Sequence, residues 1–261
     1  MVNTLKSTRR LMRPIWNIWY SYVGRRDQQN EVVFMNYGFS GEKKLELDAQ
    51  DEVNRFSIGL YDHVARGVPL KGKRVLEIGC GRGGGCSYIA RYLEPESVTG
   101  VDLCKKSIDF SKAHHNLENL VFKKMDAQNL TFPDNAFDAV INVESSHCYE
   151  NMDRFLREVH RVLKPQGHFL YADLREKKHV SLLQEQLDNS ELAIVEHEDI
   201  TGNISLALEK DSQRRSDLIG RMAPRYLIGI AKHFAGVRGS RTYDAFKSRG
   251  KEYHSWILKK A

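Results

Sequence analysis

The chain alternates between two spacings of apolar residues. Short apolar runs at 74–78, 97–103, 120–124, 137–143 and 168–172 have the length and flanking punctuation of buried strands, whereas 86–93, 106–115 and 153–163 carry apolar residues three and four apart. In the last of these, Phe155, Leu156, Val159, Val162 and Leu163 form one stripe, wide enough to bury one side of a helix. Strands alternating with helices build a parallel sheet covered on both faces. Lys164-Pro165-Gln166-Gly167 supplies a helix stop before the fifth run. Ala193–Glu196 and Tyr253–Leu258 read as two further strands, the second preceded by the turn Ser248-Arg249-Gly250. The predicted fold is α/β, a doubly wound, mostly parallel seven-stranded sheet. Residues 1–65 read as helices and loops and form an N-terminal helical cap, with Asn54–Ala65 a helix that brings Tyr61 and His63 toward the core. Residues 66–261 form the core. Within it 205–235 is mostly helical, and the excursion at 201–242, just before the last strand, is long for a connection, so it is a candidate lid or substrate wall.

Candidate chemistry concentrates after the first strand. Glu77-Ile78-Gly79-Cys80-Gly81-Arg82-Gly83-Gly84-Gly85 follows that strand and opens a helix. Glycines there permit a sharp turn and close approach to a ligand, and the helix start offers free N–H groups. Gly79-x-Gly81-x-x-Gly84 also fits a dinucleotide fingerprint, so the glycines alone leave the ligand open. Glu77 narrows the choice: a carboxylate two residues before the first glycine repels a pyrophosphate but can receive an ammonium. Asp102-Leu103 ends the second strand, where a carboxylate takes both hydroxyls of a ribose. Asp126-Ala127 follows the third strand, where an acid can accept from an adenine amino group. Asn142-Val143-Glu144 ends the fourth, at the crevice where open α/β sheets bind ligands.

Glu-x-Gly-x-Gly-x-Gly, Val-Asp-Leu, Met-Asp-Ala, Phe-Asp-Ala-Val and Arg-Val-Leu-Lys-Pro-x-Gly stand here in the order and spacing of class I methyltransferases, which the chain resembles. That resemblance implies a Rossmann-like core with S-adenosyl-L-methionine as cofactor and S-adenosyl-L-homocysteine as product. It also implies that Glu77, Gly79, Gly81, Gly83, Asp102, Leu103, Asp126, Ala127, Asn142 and Val143 bind the cofactor; Tyr37 and Tyr61 are candidates to close over it, with plain packing as the equal alternative. A narrower likeness rests on Asn30–Tyr37, Asp51–Arg55, Val143–Tyr149 and Tyr171–Arg175. These segments resemble the mycobacterial phthiotriol/phenolphthiotriol dimycocerosate methyltransferases, which act on a hydroxyl of a long-chain polyketide lipid. The implied activity is methyl transfer to a hydroxyl of a small, lipophilic metabolite.

Methyl transfer asks the protein to position an acceptor and, for an alcohol, to deprotonate it. His147 lies just past the fourth strand and titrates near neutrality when unperturbed, which makes it the candidate base. Asp173, at the end of the adjacent fifth strand, is placed to orient it or to act as a second base. Glu144, Tyr61 and Tyr149 are candidate acceptor contacts. The alternative is C-methylation of an isoprenoid or sterol-like substrate, because Glu144-Ser145-Ser146-His147 partly echoes the acidic motif of the sterol enzymes. His114-His115 reads as capping at a helix end, Cys148 as small buried filler, Met35 as core, and no metal site is expected.

Composition sets the remaining bounds. With 261 residues, 41% hydrophobic and 28% charged, the chain suits one large globular α/β domain. Cys80, Cys86, Cys104 and Cys148 form no CxxC pair, which points to neither disulfides nor zinc and to a reducing, cytoplasmic setting. No apolar run approaches the roughly 18 residues of a membrane span. The net charge of +6 is uneven, with 13 Lys/Arg against 5 Asp/Glu from Ser205 onward and six against one in Met1–Asn30. A nucleic-acid substrate is not expected, since Val143-Glu144-Ser145-Ser146 stands where amino-directed nucleic-acid enzymes carry Asn/Asp-Pro-Pro-Tyr. The aromatic stretch Pro14–Val23 reads as a helix packed on its own domain or on a second subunit, with peripheral membrane contact as the alternative. Trp16, Trp19, Tyr20 and Tyr22 would wall an apolar substrate or a homo-oligomer interface.

Overall fold

The computed structural model describes residue 27 and residues 31–261; the Pro14–Val23 stretch lies outside the described residues. The strands are β1 Arg74–Ile78, β2 Ser97–Asp102, β3 Leu120–Lys124, β4 Phe137–Val143, β5 Leu163–Glu176, β6 Leu192–Asp199 and β7 Lys251–Lys260. They form one sheet in the order β3-β2-β1-β4-β5-β7-β6. β7 runs antiparallel to β5 and β6, and the other pairs are parallel. Helices α1 Arg55–Ala65, α2 Gly84–Tyr92, α3 Lys105–His114, α4 Met152–Val162 and α5 Val180–Asp188 flank the sheet. Between β6 and β7 come α6 Thr201–Lys210, α7 Ser212–Met222, α8 Ile228–Phe234 and α9 Arg241–Lys247.

Alternation along each strand feeds two cores. Val75, Ala139, Ile141, Leu170 and Ala172 face α1, α2, α6 and α9, while Leu76, Ile78, Val140, Phe169 and Tyr171 face α4 and α5. Strands buried on both sides read as continuous apolar runs, which is why the sequence pattern was strong here. The α4 stripe behaves as predicted: Phe155, Leu156, Val159 and Val162 are buried, and the Asn151 side chain accepts from the Arg154 N–H to cap the helix.

One expectation is revised. Lys164–Gly167 does stop α4, but it lies inside β5 as a bulge: Leu163 pairs with Phe137, and pairing resumes at His168 with Ala139. The stretch at 205–235 is mostly helical, as expected, and is divided among three helices. Pro224 follows Ala223, which is extended (ψ 136°), and this ends α7 as the pre-proline restriction requires.

Adjacent β1 and β4 lie where the strand order reverses, so the connections leaving them diverge and open a crevice at their carboxyl ends.

Candidate functional site

A cleft of about 440 Å³ occupies that crevice. Gly79, Gly81, Asp102, Leu103, Asp126, Ala127, Val143, Glu144, His147, Tyr61 and Tyr149 all border it. Five other expected site residues do not. Glu77 and Asn142 are fully buried beneath the cleft floor. Gly83 is the left-handed residue preceding α2 and packs on Phe122 and His115. Asp173 stands behind His147. Tyr37 turns away: its ring packs edge-on against Phe246 and borders a second cavity. Packing is therefore the outcome for Tyr37, and its closure over the cofactor cleft is corrected.

The glycine turn is stereochemically enforced. Gly79 has φ +77°, and a Cβ there would collide with the Ser145 side chain. At the turn's end, the Gly81 N–H donates to Asp102 Oδ2 (2.9 Å) and the Cys104 N–H to Oδ1 (2.7 Å). Burial pushes the Asp102 carboxyl up, against these two amides. Each oxygen keeps a further lone pair, so a neighbouring diol could still be gripped. Tyr61 donates its hydroxyl to Glu77 Oε1 (2.7 Å), while Glu77 Oε2 is buried with no hydrogen-bond partner. Burial likewise pushes the Glu77 carboxyl up. Lying beneath the floor, this carboxylate fits a cationic ligand group reached through water. Asp126 borders the cleft near β3, with Oδ1 accepting the Gln128 N–H (2.9 Å). This donor set fits an amino-acid, sugar and base in sequence. It leaves no obvious cradle for a pyrophosphate.

On the other side of the cleft, β4 ends and a single 3-10 turn, Ser146–Cys148, presents His147. Register pairing of Val143 with Ala172 brings Asp173 alongside. His147 Nδ1 lies 2.8 Å from Asp173 Oδ1, and the His147 N–H donates to Oδ2 (2.8 Å). The Ser146 hydroxyl also donates to Oδ2 (2.6 Å), and Arg175 approaches it at 3.0 Å. Burial alone would raise Asp173, but His147 and Arg175 hold it well below the carboxylate range. For His147 burial would depress the imidazole, yet Cys148 and Asp173 together lift it well above its usual value. The pairing favours an imidazolium beside an ionised Asp173. Arg175 and Ser146 were not singled out from the sequence, although Arg175 sits two residues after Asp173 on the same face of a strand.

The second cavity, about 180 Å³, lies between residues 31–37 and helices α7 and α8. Phe34, Met35, Leu218, Ile219, Met222 and Phe234 give it an apolar wall. Glu144 and His147 border both spaces, as do Phe34, Met35 and Asn36. Met35 is thus a partition between them rather than core. Glu144 adopts φ +50°, a strained setting for a residue with a side chain. Its Oε2 accepts from the Tyr37 N–H (2.9 Å) and the Tyr253 hydroxyl (3.3 Å), and burial pushes its pKa up to about 7. Arg215, buried, donates to Asp211, to the carbonyls of Asn36 and Tyr37 and to that of Ala235, tying α7 to the segment that carries Tyr37. Nothing in the sequence distinguished it from its exposed basic neighbours.

A smaller correction concerns Cys148, while His115 caps its helix as expected. Cys148 borders the cleft beside His147 instead of filling a core, and His115 packs under the glycine loop against the Arg82 carbonyl (3.0 Å), its pKa pulled by burial down to about 4. Among the described residues one group, Asp199, Glu252 and His254, has metal-like spacing, but Arg249 already pairs with both carboxylates and none of the three borders the cleft.

Comparison with known proteins places these features in context. Residues 76–171 match the family described as a methyltransferase domain. The chain is 39% identical to the phthiotriol/phenolphthiotriol dimycocerosates methyltransferase of Mycobacterium leprae, over 88% of this chain and 86% of that protein. It is also 39% identical to a fatty-acid O-methyltransferase of Mycolicibacterium smegmatis, over 92% of this chain and 88% of that protein. Among solved structures it resembles the [4+2]-cyclase SpnF, with a TM-score of 0.73, 23% identity and 94% of each chain covered. That last likeness speaks to the fold alone, since one fold hosts many chemistries.

Proposed function

The chain belongs to the S-adenosylmethionine-dependent methyltransferases, in the family of the phthiotriol/phenolphthiotriol dimycocerosate enzymes, and from that premise we propose that it methylates a hydroxyl on a lipophilic acceptor. One observation carries the reading: His147, backed by buried Asp173, borders both the polar cleft and the apolar cavity. S-adenosylmethionine supplies an activated methyl group on a sulfonium centre. Glu77, Asp102 and Asp126 hold its ammonium, ribose and base, with Gly79 and Gly81 letting the backbone approach. The acceptor's apolar body fills the cavity against Leu218, Met222 and Phe234, leaving its hydroxyl at His147. Hydrogen bonding of Nδ1 to Asp173 makes Nε2 the basic nitrogen of the neutral ring, and Nε2 takes the hydroxyl proton. Glu144 and Tyr149 border the same place and orient the acceptor.

The relative that acts on fatty acids suggests a second reading, a carboxyl acceptor. The raised imidazole supports it, because a carboxylate needs a cation beside it and no base. C-methylation of an isoprenoid, the alternative weighed from the sequence, leaves the His147–Asp173 pair without a hydroxyl proton to take. Incubation with labelled S-adenosylmethionine and matched panels of long-chain alcohols, fatty acids and isoprenoids, with products identified by mass spectrometry, separates the three. Labelled ether from alcohols is expected. Label appearing only in esters or at carbon would overturn the hydroxyl assignment.

A further inference from the structure

We propose that the hairpin joining α7 to α8 docks the protein on an anionic lipid surface. The segment Met222-Ala223-Pro224-Arg225-Tyr226-Leu227-Ile228-Gly229-Ile230 turns at Pro224 and leaves Tyr226 82% exposed and Ile230 50% exposed. Leu227 and Ile228 beside them are half-buried. A tyrosine and an isoleucine projecting from one turn suit the headgroup zone, where an apolar body and a polar tip are both accommodated.

Charge commits the partner. Residues 212–241 hold seven Lys/Arg and a single acid, Asp217. Arg214 and Arg215 are taken up by Asp211, and Arg221 pairs with Glu31. Arg225 on the turn and Lys232 on the helix that follows it remain, and such basic residues beside an apolar tip complement an anionic membrane rather than a neutral one. No helix among the described residues is long and apolar enough to cross a membrane, so contact there is peripheral. The hairpin's other side supplies Met222, Ala223 and Ala231 to the apolar cavity. A lipid acceptor would pass from the surface into that cavity with little exposure to water. This last point rests on the proposed function; the docking itself does not.

The test is co-sedimentation of the full chain with vesicles of phosphatidylcholine, alone or mixed equally with phosphatidylglycerol, read without any acceptor. Binding to the mixed vesicles is expected, and at least ten-fold weaker binding to phosphatidylcholine alone. The double substitution Tyr226→Ser, Ile230→Ser should cut partitioning ten-fold or more, and Arg225→Glu should cut it about five- to 25-fold, since each charge near such a surface is worth roughly five-fold. An unchanged thermal melt and unchanged turnover of a detergent-dispersed acceptor would show that the variants are folded. Trp16→Ser with Trp19→Ser serves as the comparison for the N-terminal aromatic stretch. Wild-type protein that ignores the mixed vesicles would overturn the proposal. So would retention of binding in the Tyr226/Ile230 variant with loss only in the Trp16/Trp19 variant, which moves the contact to the N-terminus. Conversion of a dimer to a monomer by the Tyr226/Ile230 change, with vesicle binding intact, would make the face a subunit interface instead.

Discussion

The cleft over β1 and the cavity under α7 and α8 meet at His147 and Glu144, yet they are built from different material. The cleft is a backbone device, in which a left-handed Gly79 turns the chain and Asp102 locks the amides of Gly81 and Cys104. Its glycine turn and carboxylates lie at strand ends, within about 70 residues of sequence. The cavity is a side-chain device, assembled from Phe34 and Met35 on one segment and Leu218, Met222 and Phe234 on helices some 180 residues later. One end is held by stereochemistry and charge, the other by apolar volume. Substitutions should therefore separate by end: cofactor-side changes should move cofactor affinity for any acceptor, and cavity changes should move acceptor preference alone.

The sharpest test lies on the boundary. His147→Ala is expected to lower kcat/KM for an alcohol acceptor by about 10²–10⁴-fold, the usual worth of a positioned base. Cofactor affinity, read by calorimetry, should stay within about two-fold. A comparable loss of cofactor binding would mean that His147 belongs to the cleft, and the division into two ends would break. Asp102→Ala should act in the complementary way. It removes a charged acceptor and orphans two amides, so cofactor affinity should fall about ten- to 100-fold with every acceptor alike.

The same contrast explains what the sequence could and could not disclose. That Gly79, Asp102 and Asp126 border the cleft is legible because turn stereochemistry and strand-end placement leave few residues able to stand there. His147 and Asp173 were legible because neighbouring strands bring their ends together. For Tyr37 the sequence leaves closure and packing open, and only packing decides that its ring meets Phe246 while its N–H serves Glu144. Arg175 and Arg215 were passed over because a buried arginine looks like an exposed one until its partners are known. The excursion at 201–242 is legible as a candidate wall, but which of its residues line the cavity is not. Apolar residues on a helix carry no mark of whether they face a core or an empty space.

Changing pH should sharpen the boundary further. Because Cys148 and Asp173 lift His147 above its ordinary value of 6.5, the imidazolium persists to higher pH and the free base grows as pH rises. Methylation of a hydroxyl should therefore increase about ten-fold between roughly pH 6 and pH 9. Stability should move the other way. A raised histidine contributes fully below its unfolded value and loses that contribution as pH climbs through the folded value, so thermal melts should soften above about pH 6.5. Glu144 adds in the same direction, since ionising it in place at about 7 is harder than in the unfolded chain at 4.5. Asp173, held low, stays ionised throughout and adds no slope. Activity that falls across this window would favour a carboxyl acceptor, for which the imidazolium itself is the useful form.

The smallest effect is the most selective. Leu218 is half-buried and faces the cavity from α7, and it does not border the cleft. Leu218→Ala removes part of the surface against which an apolar acceptor would lie, at roughly 25 cal/mol for each Å² uncovered. For a side chain already part-exposed that amounts to about 1 kcal/mol, or about five-fold in the acceptor KM. A long-chain acceptor spans the whole wall and should register the loss; a short alcohol reaching only His147 should not. Cofactor affinity should be unchanged for both. Steady-state kinetics with two chain lengths reads this directly. An equal rise in KM for both would show that the apolar wall acts on the fold of the site as a whole, and that the cavity is not where the acceptor's chain lies.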